Sequence, residues 1–211
     1  MDPIPPATKI LPVQDRAQKT RAALLAATER LVAEEGADAV TTTRVAAETG
    51  VSVGTLYRYF ADRDGLLLSA YDATVARIVA SCADALVALP ADTSVEQAAK
   101  ILLGVYLDAA EAIPSHSGLL KAMRAIRPIE ADNSADQNHI VDDIVVPFIA
   151  RFAPQRPSDP LSLQVINLLL GTLVDLYLVT SDKTARARLR QDVEAHMLLA
   201  LDRALRPADD R

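Results

Sequence analysis

The sequence predicts an all-α protein with a small N-terminal helical unit and a larger C-terminal helical bundle. Composition is the first observation behind this. Half of the 211 residues are hydrophobic, 4% are aromatic, Gly occurs seven times and Trp not at all. Abundant Ala and Leu favour helices over a turn-rich β protein. The second observation is spacing, since apolar residues recur three and four apart along most of the chain. The third is that no segment alternates apolar and polar residues as a half-buried strand would. A chain of this length buries a substantial core without covalent staples.

The elements follow in order. Residues 1–15 are expected to be a disordered arm, because Pro3, Pro5, Pro6 and Pro12 break any helix along it. A helix is expected from about Thr20, with Leu24, Ala27 and Leu31 on its apolar face. Ala23, Thr28 and Val32 flank that face, and Gly36 is the C-cap. Two short helices come next, over about residues 43–49 and 53–59. Gly50 ends the first and Ser52 caps the second. Asp62 caps a long helix over about residues 63–89, closed by Pro90. Its Leu67, Ala70, Tyr71, Thr74, Ile78 and Cys82 recur at helical spacing. Further helices read over about residues 95–113, 117–127, 135–153, 160–180 and 183–205. Pro114, the polar stretch 130–134, the proline pair Pro154 and Pro157, and Ser181 with Asp182 separate them.

Several function classes are disfavoured. The single cysteine, Cys82, excludes an internal disulfide and fits a cytoplasmic protein. The N-terminus lacks the apolar core of a secretory signal. Residues 161–179 are apolar enough to suggest a membrane span, but they carry Gln164, Asn167 and Asp175. An Asp at mid-span costs about 2.5–3.5 kcal/mol, so this segment reads as a buried helix and no membrane partner is expected. No phosphate loop, dinucleotide fingerprint, nucleophile elbow or metalloprotease histidine pair occurs. Neither an enzyme nor a cofactor is therefore expected. His139, Asp142 and Asp143 share a helical face, a spacing that arises readily by chance, and no metal is expected.

The net charge of −6 argues mildly against nucleic acid. The distribution matters more than the sum. Residues 9–21 carry Lys9, Arg16, Lys19 and Arg21 against Asp15, and residues 44–63 carry Arg44, Arg58 and Arg63 against Glu48 and Asp62.

The informative stretch is residues 41–68, TTTRVAAETGVSVGTLYRYFADRDGLLL. Two short helices separated by Gly50, Val51 and Ser52 are the sequence form of a helix-turn-helix. Val45, Ala46, Val51 and Leu56 can pack its corner. The second helix then exposes Val53, Thr55, Tyr57 and Arg58, and the small start at Val53 and Gly54 allows a close approach to a DNA edge. Its N-terminus offers N–H groups and a positive dipole end to a phosphate. Phe60 reads as core and Tyr57 as surface.

These residues resemble the tetracycline-repressor (TetR) family of transcriptional regulators. The matching parts are TRAALLAATERLVAEEG, TTTRVAAETGVSVGTLYRYF and the start of the Asp62-capped helix, about residues 20–68. The resemblance implies an N-terminal three-helix DNA-binding domain over residues 16–66 and a ligand-binding and dimerisation domain over 67–211. It implies that Thr43 and Arg44 open the first reading helix, with Arg44 reading a base. Arg pairs bidentately with guanine. Ser52, Val53, Gly54 and Thr55 would touch base edges and phosphates. Tyr57, Tyr59 and Arg63 would hold phosphates, contacts that fix register rather than sequence. Relatives often carry His where this chain has Arg58 and Tyr59, and a Tyr hydroxyl neutralises no phosphate charge. The basic residues 9–21 could reach adjacent phosphates or a minor groove.

Family members bind a small molecule among their C-terminal helices and dimerise through the last two. Gln164, Asn167, Gly171 and Asp175 fall on one stripe of an apolar helix, facing either a ligand or solvent and a dimer mate. Tyr106, Met123 and Arg124 are further candidates for a ligand pocket. Val141, Ile144, Val145, Phe148 and Phe152 form a core stripe. On the last helix, Leu189, Val193, Met197 and Leu201 could face their own bundle or a two-fold mate, and the resemblance implies the mate. The function expected is a dimeric repressor released from a palindromic operator by a small-molecule effector. The alternative is a helical dimeric interaction module without sequence-specific DNA binding, which would lack a salt-dependent affinity for DNA.

Overall fold

A computed structural model describes residues 13–127, 140–154 and 160–205. The proline-rich residues 1–12, the stretch 130–134 and His139 lie outside them, as does the side chain of Gln164. The helices are α1 (Val13–Glu35), α2 (Thr42–Thr49), α3 (Val53–Tyr57), α4 (Arg63–Ala88), α5 (Val95–Glu111), α6 (His116–Ile126), α7 (Val146–Phe152), α8 (Pro160–Val179) and α9 (Lys183–Leu205).

The starts of α2, α3, α4 and α5 follow from side-chain caps. Thr41 accepts from the Arg44 N–H, Ser52 from Thr55 and Asp62 from Gly65. Ser94 and Gln97 form a reciprocal capping box on α5. Each cap satisfies an N–H that the first turn leaves unpaired. α1 begins at Val13, well before Thr20, so residues 13–15 are helical rather than part of an arm. Pro12 is the last proline of the N-terminal run in sequence, so none interrupts the backbone from Val13 to Glu35. A one-turn 3-10 helix at Ala37–Ala39 was not legible, being shorter than any periodic signal. α3 ends at Tyr57, and Tyr59 lies beyond it. The segment before α7 winds as a π turn, Val141–Val145. Pro147 lacks the N–H that would reach the Asp143 carbonyl in a regular helix, and such sites favour wide turns.

Three apolar clusters form the core. The first joins α1, α2, α3 and the start of α4 through Leu24, Leu31, Val45, Leu56, Phe60 and Leu67, and takes in Leu119 from α6. The second is built on Ile78, Leu107, Leu120, Met123, Tyr177 and Val193. The third holds Leu86, Ala98, Leu102, Phe148 and Met197. α4 runs through all three, so the expected boundary near residue 66 falls inside one continuous helix. By length and composition α4 could cross a membrane, but here it is the central core helix.

The α9 stripe faces its own bundle rather than the mate that the resemblance implied. Val193 and Met197 are buried, and Leu189 and Leu201 pack on the second and third clusters. The stripe covers the bundle's own core because α9 packs along α8 and α5. α8 leaves a different row exposed: Val165, Leu169 and Leu176 at 55%, 43% and 49%.

Candidate nucleic-acid interface and effector cavity

The turn between α2 and α3 sets the reading head. Gly50 adopts the left-handed region at φ 68°, where a side chain is disfavoured. Its N–H and that of Val51 return to the α2 carbonyls of Ala47 and Ala46, at 3.2 and 3.0 Å. The chain then reverses within two residues. Ser52 caps α3 through the Thr55 N–H at 3.0 Å, and its hydroxyl lies 2.9 Å from that of Thr55. Val45, Ala46 and Leu56 fill the corner, and Val51 packs on it.

Thr43, Ser52, Gly54, Tyr57 and Arg58 are exposed, while Val53, Thr55 and Tyr59 are half-buried. Tyr57 is 51% exposed, and its hydroxyl lies 3.3 Å from that of Thr42, joining the two short helices on one face. Phe60 is core, 4% exposed, beneath the guanidinium of Arg21 at 5.6 Å.

Two arginines are already engaged within the protein. Arg44 binds both carboxylate oxygens of Glu35 and lies 3.6 Å from Glu48. The Glu35 carboxyl is held below its ordinary range by the hydrogen bond from Arg44. Arg63 donates to the carbonyls of Val40 and Ala37, both at 2.8 Å, and pairs with Asp64 at 3.3 Å. It therefore ties the start of α4 to the turn between α1 and α2. Sequence reading assigned it only a phosphate, because carbonyl partners over 20 residues away leave no local pattern.

A cavity of about 300 Å³ lies among α4, α5, α6, α7, α8 and α9. Its wall includes Tyr106, Met123, Arg124, Asn167, Gly171 and Asp175. Asn167, Gly171 and Asp175 of the α8 stripe thus face the interior, the first of the two orientations left open by the sequence. The opposite side of α8 carries the exposed apolar row. Arg124 on α6 pairs with Asp175 on α8, at 2.6 and 2.5 Å. Tyr106 is held neutral: burial first, and the Asp175 carboxylate second, push its phenol above the ordinary range. Tyr71, Asp72 and Arg127 also line the wall and were missed. Tyr71 was read as core, and Asp72 and Arg127 carry the same charge as any solvated surface position. Among the described residues no group of His, Cys, Asp and Glu is arranged to hold a metal.

Residues 24–70 match the model of bacterial regulatory proteins, tetR family. No curated protein matches the chain. Among solved structures, the chain resembles the TetR family repressor AlkX from Dietzia sp., implicated in biodegradation of n-alkanes. The TM-score is 0.60 at 16% identity, covering 88% of this chain and 97% of that one. A tetR-family regulator from Streptomyces coelicolor gives 0.57 at 18% identity, covering 89% and 82%. The fatty acid degradation regulator FadR from Bacillus halodurans gives 0.54 at 17% identity, covering 85% and 94%. Residues 24–70 are accordingly a tetR-family regulatory segment, set in a chain with the fold of that family's solved members.

Proposed function

We propose that the protein is a dimeric, effector-responsive repressor that binds a palindromic operator. The observation that carries this is the exposed face of Thr43, Ser52, Gly54, Tyr57 and Arg58 on a head whose residues match a regulatory family. Thr43, Arg44, Val53, Gly54 and Thr55 serve base readout, and Ser52, Tyr57, Arg58 and Tyr59 serve phosphates. Arg44 exchanges Glu35 for a guanine on binding. Arg63 holds the head together and can meet a phosphate through the Nη1 that it otherwise turns to Asp64.

The second copy docks on α8. Single exposed apolar residues are ordinary on any surface, but Val165, Leu169 and Leu176 share one face of one helix, with Leu199 exposed on α9. An aligned apolar row of this kind marks an interface. Two heads so joined read half-sites about 34–36 Å apart.

The effector enters the cavity. α6 supports a route from there to the head: Met123 and Arg124 line the cavity, while Leu119 is buried in the head's core. An effector shifts the head only by binding one conformation better than the other.

Selection from a random double-stranded DNA pool tests the reading. Wild type enriches a two-fold-symmetric sequence, and Tyr57→Ala, still folded and dimeric, does not. Full operator affinity in Tyr57→Ala overturns the assignment of the reading helix. No enrichment by wild type at low salt replaces the reading with an interaction module.

A further inference from the structure

The cavity wall carries information about its occupant. Most of it is apolar, including Val75, Leu102, Phe148, Leu170, Val174 and Met197. The charged lining residues balance, with Arg124 and Arg127 against Asp72 and Asp175. Arg124 and Asp175 are paired to one another. A charged ligand group either breaks that pair or adds an uncompensated charge to a poorly solvated space, and both are costly. Tyr106 and Asn167 also line the wall, yet neither hydrogen-bonds to any described residue. A phenol O–H and a carboxamide in an apolar cavity are groups that a ligand can satisfy. The phenol stays protonated at neutral pH, since burial and the Asp175 carboxylate both favour that form, so it serves as a donor.

We propose that the effector is a neutral, predominantly apolar molecule with one oxygen acceptor, a hydroxyl or carbonyl, that binds Tyr106 and Asn167 while the apolar body fills the cavity. This rests on the cavity being the effector site, and it specifies the chemistry taken there. Polar selectivity then comes from two groups rather than from an ion pair with the ligand. A site with few placed polar groups in an apolar wall orients a ligand in this way.

The test is isothermal titration of the full-length protein, without DNA, by five ten-carbon probes: decane, decanol, methyl octyl ketone, decanoate and decylamine. Decanol and the ketone are expected to bind tightest, with decanoate and decylamine at least roughly tenfold weaker. Tyr106→Phe weakens decanol and the ketone by about three- to tenfold and leaves decane unchanged. Asn167→Leu, on the wall contributed by a different helix, weakens the same two probes. Tightest binding by decanoate or decylamine overturns the proposal. So does failure of decanol and the ketone to bind, or an equal effect of Tyr106→Phe on decane. Because no DNA is present, these outcomes are separate from failure of the operator reading, which the DNA selection reports.

Discussion

Arg63 and Gly50 show how the head depends on single residues. The Arg63 guanidinium bridges the carbonyls of Val40 and Ala37, the two ends of the one-turn 3-10 helix between α1 and α2. Removing the side chain leaves the part-buried Val40 carbonyl without this donor, while the Ala37 carbonyl keeps the Val40 N–H at 3.1 Å. Arg63→Ala is therefore expected to lower stability by about 1–3 kcal/mol in urea unfolding. Arg63→Lys restores little of it, since an ammonium cannot span both acceptors as a planar fork does. Unchanged unfolding of Arg63→Ala with lost operator binding would return the residue to a direct phosphate role. Gly50 poses a cleaner case, because a Cβ there would meet nothing within 4 Å and only the φ of +68° resists substitution. Gly50→Ala is expected to cost about 1–2 kcal/mol, and Gly50→Asn less, because Asn tolerates that region. Equal stabilities for the Ala and Asn variants would show that the backbone relaxes out of the left-handed form. This glycine was legible in the sequence, since a C-cap between two helical patterns has few substitutes. The partners of Arg63 were not, because contact across a tertiary turn leaves no periodicity.

The element that links head and cavity is α6. Gly118 sits so close to α1 that a Cβ would lie 2.7 Å from the Val32 Cγ1. At its N-terminus, His116 is buried, stacks on Tyr71 at 5.7 Å and meets the Thr74 hydroxyl at 2.8 Å. That hydroxyl also lies 2.7 Å from the Tyr71 carbonyl, its acceptor. Having one proton to give, it receives from Nδ1–H of the neutral imidazole. Beside this sits Arg77, which pairs with Glu29 of α1 at 2.5 Å. Burial, and then the Arg77 charge, lower the His116 pKa from 6.5 to about 4. The unfolded chain therefore binds the proton first as pH falls. The contribution of His116 is whole above the unfolded pKa and is lost as pH drops from about 6.5 towards 4, by up to roughly 3 kcal/mol. Urea unfolding across that range should show a shallower acid loss in His116→Gln than in wild type. Parallel profiles would assign the acid loss to the carboxylates instead. The extents of α2, α4, α5, α6 and α9 were readable to within a few residues, because each combines a 3.6-residue apolar period with a cap or, for α6, with the break at Pro114. The position of α6 between two cores was not readable, because the same leucine spacing serves either partner. The π turn before Pro147 escaped for a different reason, since a proline signals a break but not its geometry.

At the scale of the whole molecule, the inner and outer faces of α8 and α9 decide what the chain can join. A mean apolar character is shared by both faces of α8, so composition alone could not assign them. The polar residues Asn167 and Asp175 could face either way by sequence, and they line the cavity while Val165, Leu169 and Leu176 lie outside. This placement suits the two proposed roles, since a ligand cavity takes a few polar groups and an interface between copies takes apolar ones. If the proposed dimer forms here, a charge in the exposed row opposes itself across the two-fold axis and must be desolvated in both copies. Leu176→Glu, at a position 49% exposed in the isolated chain, should leave each copy folded. Wild type is expected to sediment as a dimer and Leu176→Glu as a monomer with an unchanged helical circular dichroism spectrum. One head then meets one half-site, and affinity for the two-half-site operator falls by about a hundredfold or more through loss of linkage alone. The slope of log affinity against log salt concentration falls with it, because fewer phosphates are neutralised at once. A Leu176→Glu protein that stays dimeric places the interface elsewhere. A monomer that keeps wild-type operator affinity shows instead that the two heads are not read as a pair.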